Sequence, residues 1–525
     1  MPARHWRVAG RRWLRYADPM AQQRSILIVG GGTAGWLTAA YLARALGQRA
    51  AITVLESPGI GIIGVGEGAF PTIRTTLRHI GIDEARFVRE AGATFKQGVR
   101  FDDWLHSPTP AGRHRYLHPF DAPYQAEGTD LVAHWLLKPA SAREPFAEAM
   151  TIQNRVADAV RAPKHSGEGD YDGPLAYAYH FDAHRLAALL RARAVELGVR
   201  HLEGELRGVE TGEAGIGRVH TDAHGALTAD LYVDCSGFRA ELLGRALGGP
   251  FRSAKAHLFT DRALACKIAY DRPDTPIESV TTATAHEAGW IWDIGLQHAR
   301  GLGCVYSSAH LSDARAAEIL RAYVGHDRFD ARIIPFEPGW RETQWVGNCV
   351  AVGLAGGFLE PLESTGIVLI EAAAAMIAEF LPFGGAVSAS ASRFNALMGA
   401  RYGAITNFLK LHYCLSRRPE PFWRDNADPA SIPDTLGAML AEWRHRPPSR
   451  FDFLVGTESF APFNYQYVLY GMGFETDLGQ DAGGGADAAH AERLFERIRS
   501  FGRQAVAELP EHRALIRQIG EGVAA

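Results

Sequence analysis

"ILIVGGGTAGW", residues 26–36, decides how the chain begins to fold. Residues 25–29 read as a buried strand, the apolar-periodic run 34–46 as a helix, and "AITVL" (51–55) as the next parallel strand. Between strand and helix lies Gly30-x-Gly32-x-x-Gly35. The first glycine permits a tight turn, the second lets backbone approach a pyrophosphate, and the third lets the helix pack closely on the strand. Glu56 ends the second strand, where a carboxylate can accept hydrogen bonds from a ribose 2′-OH. Gly30, Gly31, Gly32, Thr33, Ala34, Gly35 and Glu56 are therefore the candidate dinucleotide-binding residues. Gly59-x-Gly61-x-x-Gly64 repeats the spacing but follows Glu56 and leads into "GVGEGAFP" without a helix start, so it reads as a decoy.

At 525 residues the chain exceeds what one hydrophobic core organises, and at least two interlocked subdomains are expected. The composition, 47% hydrophobic and 22% charged, is that of a soluble globular protein, and a net charge of −4 gives no reason to expect a nucleic-acid partner. Five scattered cysteines without a C-x-x-C pair suit a reducing cytoplasm and predict neither a disulfide framework nor a metal site. Arg11-Arg12 has the look of a twin-arginine signal, but no apolar stretch follows. Residues 1–22 are read as a disordered extension, with Met20 an alternative start. The longest apolar run, 367–380, carries Glu371 and Glu379 and is too short to span a bilayer.

Pieces of a nucleotide-binding fold recur near residues 200–237 and 347–370, so the domains are interleaved. "ADLYVDCSG" (229–237) and "VGNCVAVGLAGGFLEPLESTG" (346–366) are strand–small-residue–helix segments of the kind flavoprotein monooxygenases set around a flavin, which favours FAD over NAD. Helices are expected at 182–197, 312–324, 366–381 and 392–414, with strands between 258 and 308 and a glycine-rich surface loop at 479–489. The expected fold class is α/β: an FAD-binding Rossmann-like domain of flavin monooxygenase type, interleaved with a β-sheet-containing substrate region. The core spans 23–420, and 421–525 forms a mostly helical region covering the substrate.

Three further stretches bear on chemistry. Glu363, Ser364, Thr365 and Gly366 precede an apolar helix, where free amides can bind an anion and where Ser364 or Thr365 can cap. "ATFKQGVRFDDW" (93–104) reads as one strand with Phe95, Val99 and Phe101 on one face and Lys96, Gly98 and Arg100 on the other. "GWIWDIG" (289–295) puts Trp290 and Trp292 side by side on one strand face.

Taken in order, "VGGGTAGW", "GVGEGAFP", Phe95-Lys96, "HFDA" (180–183), "DCSG" (234–237), "GWIWDIG" and "FLEPLESTGI" resemble the flavin-dependent tryptophan halogenase family. The likeness runs from about residue 23 to the end and is strongest before 420. It implies a two-component enzyme that receives FADH2 from a separate flavin reductase and forms a flavin hydroperoxide with oxygen. By the resemblance, Thr365 and Gly366 hold a chloride or bromide ion through backbone, and hypohalous acid travels to Lys96, which hydrogen-bonds it or carries it as a haloamine. Glu363 would orient the electrophile and remove the ring proton. Leu206 would touch the adenine side, and Leu354 and Ile367 would flank the isoalloxazine. Trp290 and Trp292 would keep organic substrate from the flavin hydroperoxide. Gly295 stands where the family has proline, from which local loosening is expected.

His118 and Phe120 of "RYLHPF" (115–120) stand where the family sandwiches an indole. The amino-acid grip departs from pattern: Glu458, Phe460, Phe463, Asn464 and Tyr465 are present, but the family's tyrosine pair and tryptophan are not. The resemblance thus points to an indole or other electron-rich aromatic, as a small molecule or within a peptide, and to a homodimer. The competing readings are a single-component FAD-dependent aromatic hydroxylase and a flavin-binding protein without turnover.

Overall fold

The computed structural model of the protein describes residues 23–521, apart from 63, 65, 111, 126–127, 383–386, 454–458 and 480–487. The expected 1–22 extension and most of the 479–489 loop lie outside the described residues.

The opening stretch forms the strand Arg24–Val29 and the helix Thr33–Leu46, followed by the strand Ala50–Glu56. Arg24–Val29 is flanked by Ala50–Glu56 on one side and Leu231–Asp234 on the other, both parallel to it. Arg200–Glu203 and Cys349–Ala351 extend this sheet outward, and a short antiparallel strand, Trp345–Val346, closes its edge. Sheet neighbours thus come from far apart in the chain, as the interleaved reading requires. The central strands are buried and apolar on both faces, the usual composition of a covered parallel sheet. Their carboxyl ends deliver Gly30, Glu56, Cys235 and Val352 to one edge, where ligands of open α/β sheets bind.

A second sheet of seven strands runs in the order 332–335, 262–269, 299–306, 289–295, 281–286, 98–102, 115–119. All its pairs are antiparallel except Thr281–His286 with Gly98–Asp102. Trp290 and Trp292 lie mid-sheet, and His118 sits on the edge strand opposite Val99. A small third sheet joins Glu67–Gly68, Ala178–Phe181 and Thr94–Lys96.

That third sheet corrects the single strand expected over 93–104. The chain breaks at Gln97, whose N–H donates to Ser279 O at 2.7 Å while its O accepts from Phe120 N–H. Thr94–Lys96 and Gly98–Asp102 belong to different sheets, so face alternation does not carry across. Phe95 and Phe101 are both wholly buried, in separate surroundings.

The expected helices are found at Ala183–Glu196, Asp313–Val324, Thr365–Phe380 and Ser388–Cys414. Asp182 caps the first, accepting from His184 N–H and Arg185 N–H, and Ser312 caps the second. Two further helices, Thr72–Ile80 and Glu84–Ala91, follow the first βαβ unit. Beyond residue 420 come Pro421–Ala427, Asp434–Trp443, Pro462–Gly471, Ala488–Glu508 and His512–Glu521. The last reaches back to the third sheet: His512 Nε2 accepts from Phe95 N–H at 3.0 Å, beside Lys96. Among the described residues no helix is long and apolar enough to cross a membrane.

Candidate active site

A cavity of about 940 Å³ opens along the carboxyl ends of the first sheet. Gly30 to Ala34, Glu56, Leu206, Leu354 and Ile367 line it, with Trp290 and Trp292 on the wall and the run Glu363 to Gly366 alongside. The glycines are required by space. A Cβ on Gly30, whose φ is +119°, would fall 2.2 Å from Cys235 O. One on Gly31 would fall 2.3 Å from the Glu56 side chain. Gly35 does not line the cavity; its bare Cα lies against Gly30 O, which is the close-packing task expected of it. Glu56 Oε2 is buried, 2.8 Å from His201 Nε2 and 3.6 Å from Arg191 Nη1, and accepts no hydrogen bond, so an acceptor is left over at the strand end.

The two indoles stand with ring centroids 6.3 Å apart, their planes at 58°. Trp292 lies over Gly303 of the neighbouring strand, where any Cβ would enter its ring. Trp290 Nε1 donates to Glu360 Oε2 at 3.4 Å, and Tyr413 Oη donates to the same oxygen at 2.7 Å. Burial pushes the Glu360 carboxyl up to about 7. The strand continues through Gly295, whose carbonyl accepts from Thr94 Oγ1 at 2.6 Å.

Glu363 and Ser364 are consecutive non-glycine residues at positive φ, 61° and 57°. Such residues cost about 1–3 kcal/mol each and persist only where packing fixes them. Their effect is to send neighbouring side chains to different partners. Ser364 occupies the capping position of Thr365–Phe380 but makes no capping bond, contrary to one expected role. Its Oγ accepts from Lys96 Nζ at 3.0 Å. Thr365 and Gly366, at the helix start, face the cavity.

Lys96 is wholly buried, with Nζ 5.4 Å from the centroid of Phe120. Burial lowers its amine to about 8, against an opposing pull from Glu363. Gly68, one strand away, leaves room for it: a Cβ there would sit 2.9 Å from Ser364 Oγ and 3.0 Å from Lys96 Nζ.

Glu363 is buried as well. Its Oε1 meets His118 Nδ1 at 2.7 Å and His412 Nε2 at 3.1 Å. Burial alone would raise its carboxyl, but the two histidines outweigh it and hold the group well below the usual carboxylate range. His118 Nε2 lies 2.8 Å from Asn464 Oδ1, and the Phe408 and Tyr467 rings lie 5.7 and 6.3 Å from the imidazole. Phe463 is half-buried, 6.2 Å from Tyr467, and Glu458 lies outside the described residues.

Two groups result. The glycine motif, Glu56, Leu206, Leu354, Ile367, Trp290, Trp292, Thr365 and Gly366 belong to the cavity or its wall. Lys96, His118, Phe120 and Asn464 form a closed cluster that does not line it, joined to it by Glu363 and Ser364. Sequence reasoning missed His412 and Gly68, and it gave Ser364 no contact with the lysine.

The tryptophan halogenase family model matches residues 25–484 of this arrangement. The chain belongs to the tryptophan halogenase family. It is 34% identical over 527 residues to the tryptophan 6-halogenase SttH of Streptomyces toxytricini, covering 95% of this chain and 98% of that one. It is 35% identical over 512 residues to the 7-chloro-L-tryptophan 6-halogenase KtzR of Kutzneria sp., covering 93% and 98%. The crystal structure of a tryptophan halogenase from Shewanella frigidimarina superposes with a TM-score of 0.91 at 37% identity, over 96% of this chain and 98% of that one. The protein is a flavin-dependent halogenase, an enzyme that uses reduced FAD from a separate flavin reductase, a halide and an aromatic substrate. The hydroxylase alternative is not favoured.

Proposed function

We propose that the cavity holds the flavin and that the cluster beyond Ser364 halogenates an indole-type aromatic with chloride or bromide. The residues present fit FAD: glycines clear the space, and Glu56 Oε2 is an orphaned acceptor where a ribose hydroxyl would lie. When bound, the reduced flavin activates oxygen and turns halide into hypohalous acid. Gly30 to Ala34 and Glu56 would hold its dinucleotide half, Leu206 would face its adenine side, and Leu354 and Ile367 would face its ring. The uncapped backbone N–H groups of Thr365 and Gly366 attract the halide at the positive end of the helix. Trp290 and Trp292 wall the cavity and keep bulky organic substrate out of it.

The observation that carries this reading is the 3.0 Å contact between Lys96 Nζ and Ser364 Oγ, which connects the two groups. As a free amine, Lys96 takes the halogen of hypohalous acid with loss of water, or holds the acid by a hydrogen bond. Glu363, kept ionised, accepts the proton that the halogenated ring must lose. Phe120 supplies an aromatic face beside Lys96, with His118, Phe463 and Asn464 around it. The relatives are named for tryptophan and 7-chlorotryptophan, but the grip expected for a free amino acid is incomplete here. A substituted indole, or a tryptophan within a larger molecule, suits the site. Five free cysteines fit a cytoplasmic setting.

The test is mass spectrometry of products formed with FAD, a flavin reductase, NADH, oxygen and either halide, against indole, tryptophan and tryptophan-containing peptides. Halogen isotope patterns that vanish in Lys96→Ala are expected. A halogen-free product sixteen mass units heavier, surviving that substitution, would overturn the reading.

A further inference from the structure

We propose that His412 is the positioning residue that keeps Glu363 ionised, by carrying a proton on both ring nitrogens and donating one to Glu363 Oε1. It rests on the reading of Glu363 as the base. His412 lies near the end of helix Ser388–Cys414, wholly buried. Its Nδ1 is 2.8 Å from Phe408 O, and a backbone carbonyl can only accept, so Nδ1 carries a proton. Its Nε2 is 3.1 Å from Glu363 Oε1, and an ionised carboxylate can only accept as well. Both nitrogens must therefore donate. A neutral His412 would set a lone pair against a buried carboxylate, a repulsive contact.

His118 meets the same oxygen but has another way to balance its hydrogens. Its Nδ1 donates to Glu363, while Nε2 can accept from Asn464 once that amide is turned to present Nδ2, since amide oxygen and nitrogen are interchangeable in placement. His118 therefore has a second hydrogen-bonding arrangement open to it, and His412 does not. The same helix end holds the other glutamate of the segment: Tyr413 Oη donates to Glu360. Adjacent residues on one helix thus restrain both carboxyls of the Glu360–Glu363 turn. Phe101 and Trp104 pack against the His412 ring and hold it in place. The other charged or titratable groups facing Glu363 are Lys96 and Tyr116.

The direct test is the imidazole nitrogen resonances of the ¹⁵N-histidine-labelled protein at neutral pH, with His412 assigned by its absence from His412→Gln. Both nitrogens of His412 are expected in the protonated range, and one bare nitrogen would overturn the proposal. In turnover, His412→Gln keeps a donor without the charge. Its kcat should fall at least about tenfold with substrate KM within about twofold, and an unchanged kcat in a folded variant would also overturn it. Should the wild type form no halogenated product, the proposed function fails, while the nitrogen shifts still decide the state of His412.

Discussion

On one side of Ser364 the protein has made room by leaving side chains out, and on the other it has set buried charged groups against one another. The cavity wall combines glycine backbone, aliphatic side chains and two indoles with the guanidinium groups of Arg207, Arg239 and Arg245, and Glu56 contributes a spare acceptor. The cluster beyond holds a lysine, a glutamate and two histidines, all buried, each with a named partner. A dinucleotide is large and brings its own charges, so its site needs clearance and donors. A small electrophile needs the reverse: a fixed amine, a fixed base and no bulk water. Placing the two requirements on opposite sides of one serine lets each side be optimised without compromising the other.

The largest effect should come from Gly30→Ala. The new Cβ would strike Cys235 O in a backbone conformation that disfavours any side chain. FAD affinity should fall at least about tenfold, the equivalent of ~1.4 kcal/mol, read by fluorescence titration. Whatever flavin does bind should still support halogenation at Lys96. An intact affinity would mean that the turn can shift, and that clearance is not what the glycine provides.

Gly68→Ala acts where the cavity meets the cluster, because Gly68 lines the cavity and faces Lys96 Nζ and Ser364 Oγ. It should wedge Lys96 from Ser364, lowering kcat by about tenfold with FAD affinity unchanged. A fall in flavin affinity of the same size would break the comparison, because the two sides would then not be separable.

The smallest effect is a pH dependence. With the Lys96 amine at about 8, the free-amine fraction rises about tenfold between pH 7 and 9, and kcat should rise with it if the amine takes the halogen. Stability follows the same direction. The folded chain binds fewer protons than the unfolded chain between about 8 and the ordinary lysine value of 10.5, so stability should increase with pH across that window. Denaturation midpoints of the wild type against Lys96→Met would check the sign, the variant losing that part of the slope.

What could be read from the sequence was what local physics decides. The strand–glycine–helix opening, the acid at Glu56 and the helices beginning near Asp182 and Ser312 all depend on residues within a few positions of one another. Helices Thr72–Ile80 and Glu84–Ala91 carried readable signals too: Asp83 caps the second, and Gly81 and Gly92 end each in a left-handed turn. Those signals were masked by the surrounding glycine and aromatic residues. The lysine cluster was only partly legible. Lys96 and Glu363 emerged through a resemblance, whereas Gly68 and His412 matter through contacts made across the fold. The break at Gln97 was invisible because alternation on both sides of it looked continuous, and only the pull of Ser279 and Phe120 on its backbone interrupts the ladder. Ser364 was misjudged as a cap because its position fits one, while the left-handed backbone turns its hydroxyl toward Lys96.

The bond from Phe95 N–H to His512 has a consequence for how the molecule assembles. It links residues 417 positions apart, whereas the glycine turn is closed by Gly30 N–H and Leu55 O, neighbours in a compact βαβ unit. Closing long loops is slow, and short-range units form first. A partly folded chain is therefore expected to build its nucleotide cradle before helix His512–Glu521 docks and locks the lysine strand, so the oxidant-handling half matures ahead of the half that uses it. Pulsed hydrogen exchange would show this as early protection at Gly30 and late protection at Phe95.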